Sequence, residues 1–272
     1  MNKLTKQQIN SLHLKLEEIG REMLTIYNSE FSHELKEDNS PLTKADMLSH
    51  DMLIKYLKQE FPEFAIISEE DEGTQEIDNN TLVWVIDPLD GTKDFVNKTD
   101  EFSIMLALLD TKREPIAGFV YAPALDTLWY AQKDEGAYKV QSNKEELITS
   151  SVVNDIKQAR LIRSRSHFSS IDEKISLKLQ ITTFIQSGSA GIKFCKIAQG
   201  DGELCYYSTD KMGIWDIAPA HIILKEAGGK MKTISGNELK YDLVNKKMKD
   251  GTIGVNSELE IKQIINSINN TN

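Results

Sequence analysis

Cysteine is nearly absent: two occur in 272 residues, Cys195 and Cys205, with no CxxC pair and no histidine in ligand spacing around them. That argues against a disulfide framework or a structural zinc site and predicts two buried, reduced thiols. Long apolar runs are missing as well. The longest, Ile104 to Leu109, is far too short to span a bilayer. The start, Met1 to Gln8, lacks the apolar core of a signal peptide, which makes the cytoplasm the expected location. Basic residues are in deficit, 32 Lys and Arg against 42 Asp and Glu, for a net charge of −10. A nucleic-acid polymer is therefore not an expected partner, because binding its backbone needs a basic face. A small anionic substrate is not excluded, since cations held by clustered carboxylates reverse the field locally. What is present, 40% hydrophobic and 27% charged residues, is the composition of an ordinary globular protein.

Along the chain, Ile9, Leu12, Leu16, Ile19 and Met23 form one apolar stripe and predict a first helix. Thr43-Lys44-Ala45-Asp46 reads as a capping box opening a second helix, with Leu48, Met52 and Tyr56 on its face and Pro62 at its end. Strands are predicted at 65–68, 81–86, 102–109, 116–122 and 127–131, consecutive enough for an antiparallel or mixed sheet. The polar stretch Asn143 to Lys157 is the expected boundary between an N-terminal α+β part, residues 1–145, and a C-terminal α/β part, residues 146–272. Beyond it, a strand is predicted at 159–163, a helix at 189–198 capped by Ser189, an apolar helix at 215–227 and a strand at 252–255, before a short amphipathic tail helix.

Three acidic elements stand out. Ser68-Glu69-Glu70-Asp71-Glu72 reads first as a solvated turn. Asp87 ends an apolar strand, and Asp90 comes next across Pro88-Leu89 with Gly91 behind it. A proline-fixed, glycine-permitted bend lets both carboxylates and the Leu89 carbonyl face one point, though the same residues also make ordinary turns. Asp216 opens an apolar helix, where capping is its plain role, as it is for Asp46. Oxygen ligands of this kind suit Mg²⁺, Mn²⁺ or Ca²⁺ rather than zinc.

Glu69-Glu70, then Asp87-Pro88-Leu89-Asp90-Gly91-Thr92, then Trp215-Asp216 with Gly228-Gly229 after it, resemble the signature of the inositol monophosphatase superfamily, and Asp46 matches its upstream aspartate. Within it, Asp38 to Thr43, Asp87 to Phe95, Val120 to Pro123, Ser164 to His167 and Gly188 to Cys195 resemble the 3′(2′),5′-bisphosphate nucleotidase branch of CysQ type. The resemblance implies a layered α/β sandwich, of inositol monophosphatase and fructose-1,6-bisphosphatase kind, with alternating helix and sheet layers. It implies a lithium-sensitive, magnesium-dependent hydrolase of sulfur metabolism that takes the 3′-phosphate from adenosine 3′,5′-bisphosphate. The implied metal ligands, for two or three Mg²⁺ ions, are Glu69, Asp87, the Leu89 carbonyl, Asp90 and Asp216.

Two ions about 4 Å apart both activate water and hold the leaving oxygen. The implied water-activating pair is Thr92 and Asp46, with Glu70 as support. Gly91, Thr92, His167, Ser189, Lys193 and Asp216 are the implied substrate contacts. Where inositol-selective members carry a glutamate, seven residues before Asp216, this chain has Thr209, beside Asp210. The alternatives are an inositol or other sugar phosphatase, and a non-catalytic nucleotide or metal binder. The intact set Asp46, Glu69, Asp87, Asp90, Thr92 and Asp216 weighs against the last. The expected assembly is a monomer or homodimer with a small phosphate ester as its partner.

Overall fold

The computed structural model describes residues 3–30, 33–35, 41–71, 76–165, 170–207 and 212–269. Helix α1 (Lys6–Tyr27) buries Leu12, Leu16, Ile19 and Met23, the predicted stripe, behind a Thr5 cap. A short antiparallel ribbon, β1 (His33–Leu35) and β2 (Pro41–Thr43), leads into α2 (Lys44–Glu60). The capping box at the head of α2 is present. Asp46 Oδ2 accepts from the Thr43 N–H at 2.7 Å, and the Thr43 hydroxyl accepts from the Ala45 N–H at 3.1 Å.

A seven-stranded sheet comes next, its strands adjacent in sequence order: β3 (Ala65–Ser68), β4 (Val83–Asp90), β5 (Ser103–Leu109), β6 (Pro115–Ala122), β7 (Thr127–Gln132), β8 (Ala137–Gln141) and β9 (Lys144–Ile148). Only β3 and β4 run parallel; the remaining pairs are antiparallel. A one-turn helix, α3 (Thr92–Val96), sits between β4 and β5. The second sheet has the order β11-β10-β12-β14-β13, from β10 (Arg160–Ser164), β11 (Thr183–Ser187), β12 (Leu204–Tyr207), β13 (Lys230–Lys232) and β14 (Thr252–Val255). Its helices are α4 (Ser170–Leu179), α5 (Ala190–Ala198), α6 (Ile214–Glu226) and α7 (Ile261–Asn269).

Side-chain alternation fixes the stacking of these elements. Trp84, Ile86, Leu106 and Leu108 pack with residues of α1 and α2, whereas Val83, Val85, Met105 and Ala107 pack with residues of α5 and α6. On the second sheet, Ile162 and Cys205 face α5 and α6, while Leu161, Leu204 and Ile253 pack with α4 and α7. The result is a five-layer α/β/α/β/α sandwich, the alternation of layers that the resemblance implied.

Within the polar stretch Asn143 to Lys157, β9 completes the first sheet at Ile148, and the second sheet begins at Arg160. One expectation needs correcting. Strand β4 does not stop before Asp87; it runs through Asp90 with an irregularity between the two aspartates.

Candidate metal centre

That irregularity builds the site. Asp87 pairs with Met105 and Asp90 with Ser103, so three residue steps on β4 oppose two on β5. In a regular strand, residues three apart point to opposite faces. The extra residue, a β-bulge at Pro88-Leu89, resets the alternation. Leu89 joins the core against α1 and α2, and Asp90 turns to the α6 face beside Asp87. Gly91 then takes φ +89, a left-handed turn that suits glycine, and α3 begins. Ser49 of α2 fixes the bulge from the other side, its hydroxyl donating to the Pro88 carbonyl at 2.8 Å.

Asp216 arrives from the third position of α6, where its carboxylate accepts the Gly213 N–H at 2.5 Å. The ligand atoms of Asp87, Asp90 and Asp216 all lie within 4.8 Å of one another. Asp87 is 1% exposed and Asp90 8%. Burial drives the Asp87 and Asp216 carboxyls well above the usual carboxylate range, and Glu69 and the neighbouring aspartates add repulsion. Burial also raises Asp90, opposed by the Ser189 hydroxyl, the Lys193 charge and the Gly191 N–H. Three hard, mutually repelling oxygen donors, two buried and one partly so, fit a divalent cation of the Mg²⁺ kind.

Glu69 and Glu70 occupy the turn after β3. The Glu69 N–H donates to the Ile86 carbonyl at 3.1 Å, which carries this turn alongside Asp87. The Glu70 N–H donates to the buried Ser68 hydroxyl, and that hydroxyl lies 2.9 Å from His50 Nδ1 on α2. Thr92 opens α3, and its hydroxyl lies 3.2 Å from the Leu89 carbonyl and 3.4 Å from Asp46 Oδ1. The Thr43 hydroxyl donates to the other Asp46 oxygen at 2.6 Å and holds it in place.

Ser189 caps α5 and Lys193 lies in its first turn, both buried. The Ser189 hydroxyl donates to Asp90 Oδ2 in a short hydrogen bond and accepts the Ile192 N–H at the start of α5. The Gly191 N–H reaches the same Asp90 oxygen at 2.9 Å. Lys193 is 3% exposed; its ammonium donates to the Ser187 carbonyl and sits over the Tyr207 ring. Burial lowers its pKa, opposed by nearby acidic groups that include Asp90. His167, Thr209 and Asp210 lie outside the described residues.

Both cysteines are free and buried, as expected, and burial together with Asp90 pushes the Cys195 thiol up. Sequence reasoning missed Ser49, Ser103 and Glu101. Ser103, fully buried at the head of an apolar strand, lies 2.9 Å from the Ser189 hydroxyl. A polar residue leading an otherwise apolar strand was the only local signal for it.

The chain is similar to known proteins in sequence and in fold. A CysQ 3′(2′),5′-bisphosphate nucleotidase of Haemophilus influenzae is 32% identical over 228 residues, covering 83% of this chain and 84% of that protein. The corresponding Escherichia coli K12 protein is 34% identical over 209 residues, 76% of this chain and 81% of that one. A solved Thermotoga maritima IMPase superimposes with a TM-score of 0.82 at 25% identity, over 97% of this chain and 98% of that one. The model of the inositol monophosphatase family matches residues 5–270, and on that span, with these relatives, the chain belongs to that family.

Proposed function

We propose that this chain is a magnesium-dependent phosphatase that hydrolyses the 3′-phosphate of adenosine 3′,5′-bisphosphate, leaving AMP and phosphate. The observation that carries the reaction class is the convergence of Asp87, Asp90 and Asp216 beside a Thr92 hydroxyl within reach of Asp46. The substrate assignment rests on relatives above 30% identity that bear the bisphosphate nucleotidase name.

Glu69, Asp87, the Leu89 carbonyl, Asp90 and Asp216 would hold two or three Mg²⁺ ions. When bound, the metal supplies neutralisation of the phosphate charge and acidification of a water molecule. The protein's own groups do the rest. Asp46, held on one oxygen by Thr43, offers the other to the Thr92 hydroxyl. With its hydrogen aimed at Asp46, Thr92 Oγ1 presents a lone pair to the attacking water and orients it toward phosphorus. Glu70 supports this arrangement from the turn after β3. Phosphate oxygens meet the N–H groups of Gly91 and Thr92 at the bend. Ser189 and Lys193 serve the site through Asp90, by hydrogen bond and by charge. His167 contributes to nucleotide binding on the strength of its motif alone.

Phosphate release from adenosine 3′,5′-bisphosphate, inositol 1-phosphate and fructose 1,6-bisphosphate, with and without Mg²⁺, tests the reading. Mg²⁺-dependent preference for the first is expected. Preference for inositol phosphate would overturn the substrate, and no release from any would overturn the enzyme.

A further inference from the structure

We propose that Glu101 is a positioning residue of the metal centre, a carboxylate clasp that holds the Ser187–Ser189 turn and, through Ser189, sets the orientation of Asp90. The inference rests on Asp90 being a metal ligand. Glu101 lies between α3 and β5, yet its side-chain partners among the described residues come from β11, from α5 and from the residues that directly follow β10 and β11. Its Oε1 accepts from the Lys196 ammonium at 2.7 Å and from the Ser187 hydroxyl at 3.1 Å. Its Oε2 accepts from the Arg165 guanidinium at 2.5 Å and from the Gly188 N–H at 3.0 Å. The Lys196 ammonium also donates to the Ser187 hydroxyl at 3.0 Å, closing a ring around the turn.

The turn needs holding because it ends on a strained residue. Ser189 has φ +47 and ψ 131, a positive-φ conformation that costs a non-glycine residue energy and needs outside support. In this conformation its hydroxyl reaches Asp90, with Ser103 on the other side. Asp90 Oδ2 is thereby engaged by Ser189 and Gly191. The side chain of Glu101 is only 13% exposed and that of Lys196 20%, so their contact is largely sheltered from solvent, whereas Arg165 closes the clasp from the exposed side. Burial raises the Glu101 carboxyl, but Lys196, the Gly188 N–H and Arg165 outweigh it and keep the group ionised. Groups that orient metal ligands in this way typically carry 10- to 100-fold of metal affinity.

The test is calorimetric titration of metal-free protein with Mg²⁺ for wild type, Glu101→Ala, Glu101→Gln, Ser189→Ala and the Glu101→Ala/Ser189→Ala pair. It is run well below each melting temperature, so a general loss of stability leaves the reading unmoved. Glu101→Ala is expected to weaken Mg²⁺ binding by about 10-fold. In the Ser189→Ala background the same change is expected to add less than about 2-fold, because both act on one path. Affinity of Glu101→Ala within about 2-fold of wild type, or effects that multiply across the pair, would overturn the clasp. If Glu101→Ala fails to fold, Glu101→Gln decides: about 3-fold weaker binding supports the proposal and unchanged binding overturns it. Bisphosphate hydrolysis by the wild type is assayed in parallel. Its absence alongside intact Mg²⁺ binding would count against the nucleotidase reading and not against the clasp.

Discussion

Three carboxylates whose oxygens lie within 4.8 Å of one another repel each other strongly without a cation. Burial and mutual repulsion raise Asp87 and Asp216, so the folded, metal-free protein holds protons that the unfolded chain has already released. Their contribution to stability is full below about pH 4 and is lost as pH rises through the raised values. As pH rises above the ordinary carboxylate range, metal-free wild type is therefore expected to lose Tm more steeply than Asp87→Asn, which lacks one of the raised groups. Parallel pH profiles of the two proteins would contradict this. Thr92 belongs to the same scale. Its hydroxyl lies beside Asp46 and makes no cap for α3, so Thr92→Ala is expected to keep Mg²⁺ and substrate affinity. Its kcat should fall by about 100-fold or more, and unchanged kcat would remove the proposed proton path. The aspartates themselves were legible in the sequence. Their convergence was not, since only partners distant in the chain, such as Asp46 and Asp216, distinguish a metal site from a polar turn.

Among the elements, the bulge in β4 and the seat of α6 do most to place ligands. Helix α6 presses so closely on β6 that a Cβ at Gly118 would lie 2.4 Å from the Pro219 carbonyl and 2.4 Å from Ile222 Cγ2. One of these neighbours is helix backbone, so the helix must shift and carry Asp216 with it. Gly118→Ala is expected to cost about 2 kcal/mol of stability and to weaken Mg²⁺ binding together with it. Denaturant melts paired with Mg²⁺ titration check this; a stable variant with wild-type affinity would contradict the account. Helices α1, α2, α5 and α6 were legible because each shows caps or a strongly apolar face. Strands β8, β9 and β11 escaped, since they run at or near sheet edges with mostly exposed or half-exposed residues and little alternation. The bulge escaped for another reason: it is a property of pairing between β4 and β5, and no local pattern encodes that register.

At the scale of the whole molecule, the site is a junction of layers. Asp46 comes from α2 on one side of the large sheet, Asp87 and Asp90 from the sheet itself, and Asp216 from α6 on the other side. A cation bound at that junction ties two layers together and offsets part of a net charge of −10. Saturating Mg²⁺, at about 100 times its Kd, is expected to stabilise the fold by about 2.7 kcal/mol and raise Tm by about 5–10 °C, an effect that EDTA reverses. A melt indifferent to both additions would leave the acidic cluster without its cation. The overall class of fold came from the family resemblance; the strand pattern alone gave a mixed sheet and no layer order, because layer order depends on which face of each element is buried against which neighbour.

The central claim is that this carboxylate cluster directs Mg²⁺-dependent removal of one particular phosphate. The most direct measurement is phosphorus NMR of adenosine 3′,5′-bisphosphate incubated with the protein and Mg²⁺, with Asp90→Asn alongside. Loss of the 3′-phosphate resonance with growth of AMP and inorganic phosphate is expected for the wild type, with turnover at least about 100-fold slower in Asp90→Asn. Adenosine 3′-phosphate as the product, or equal turnover by the variant, would contradict the account.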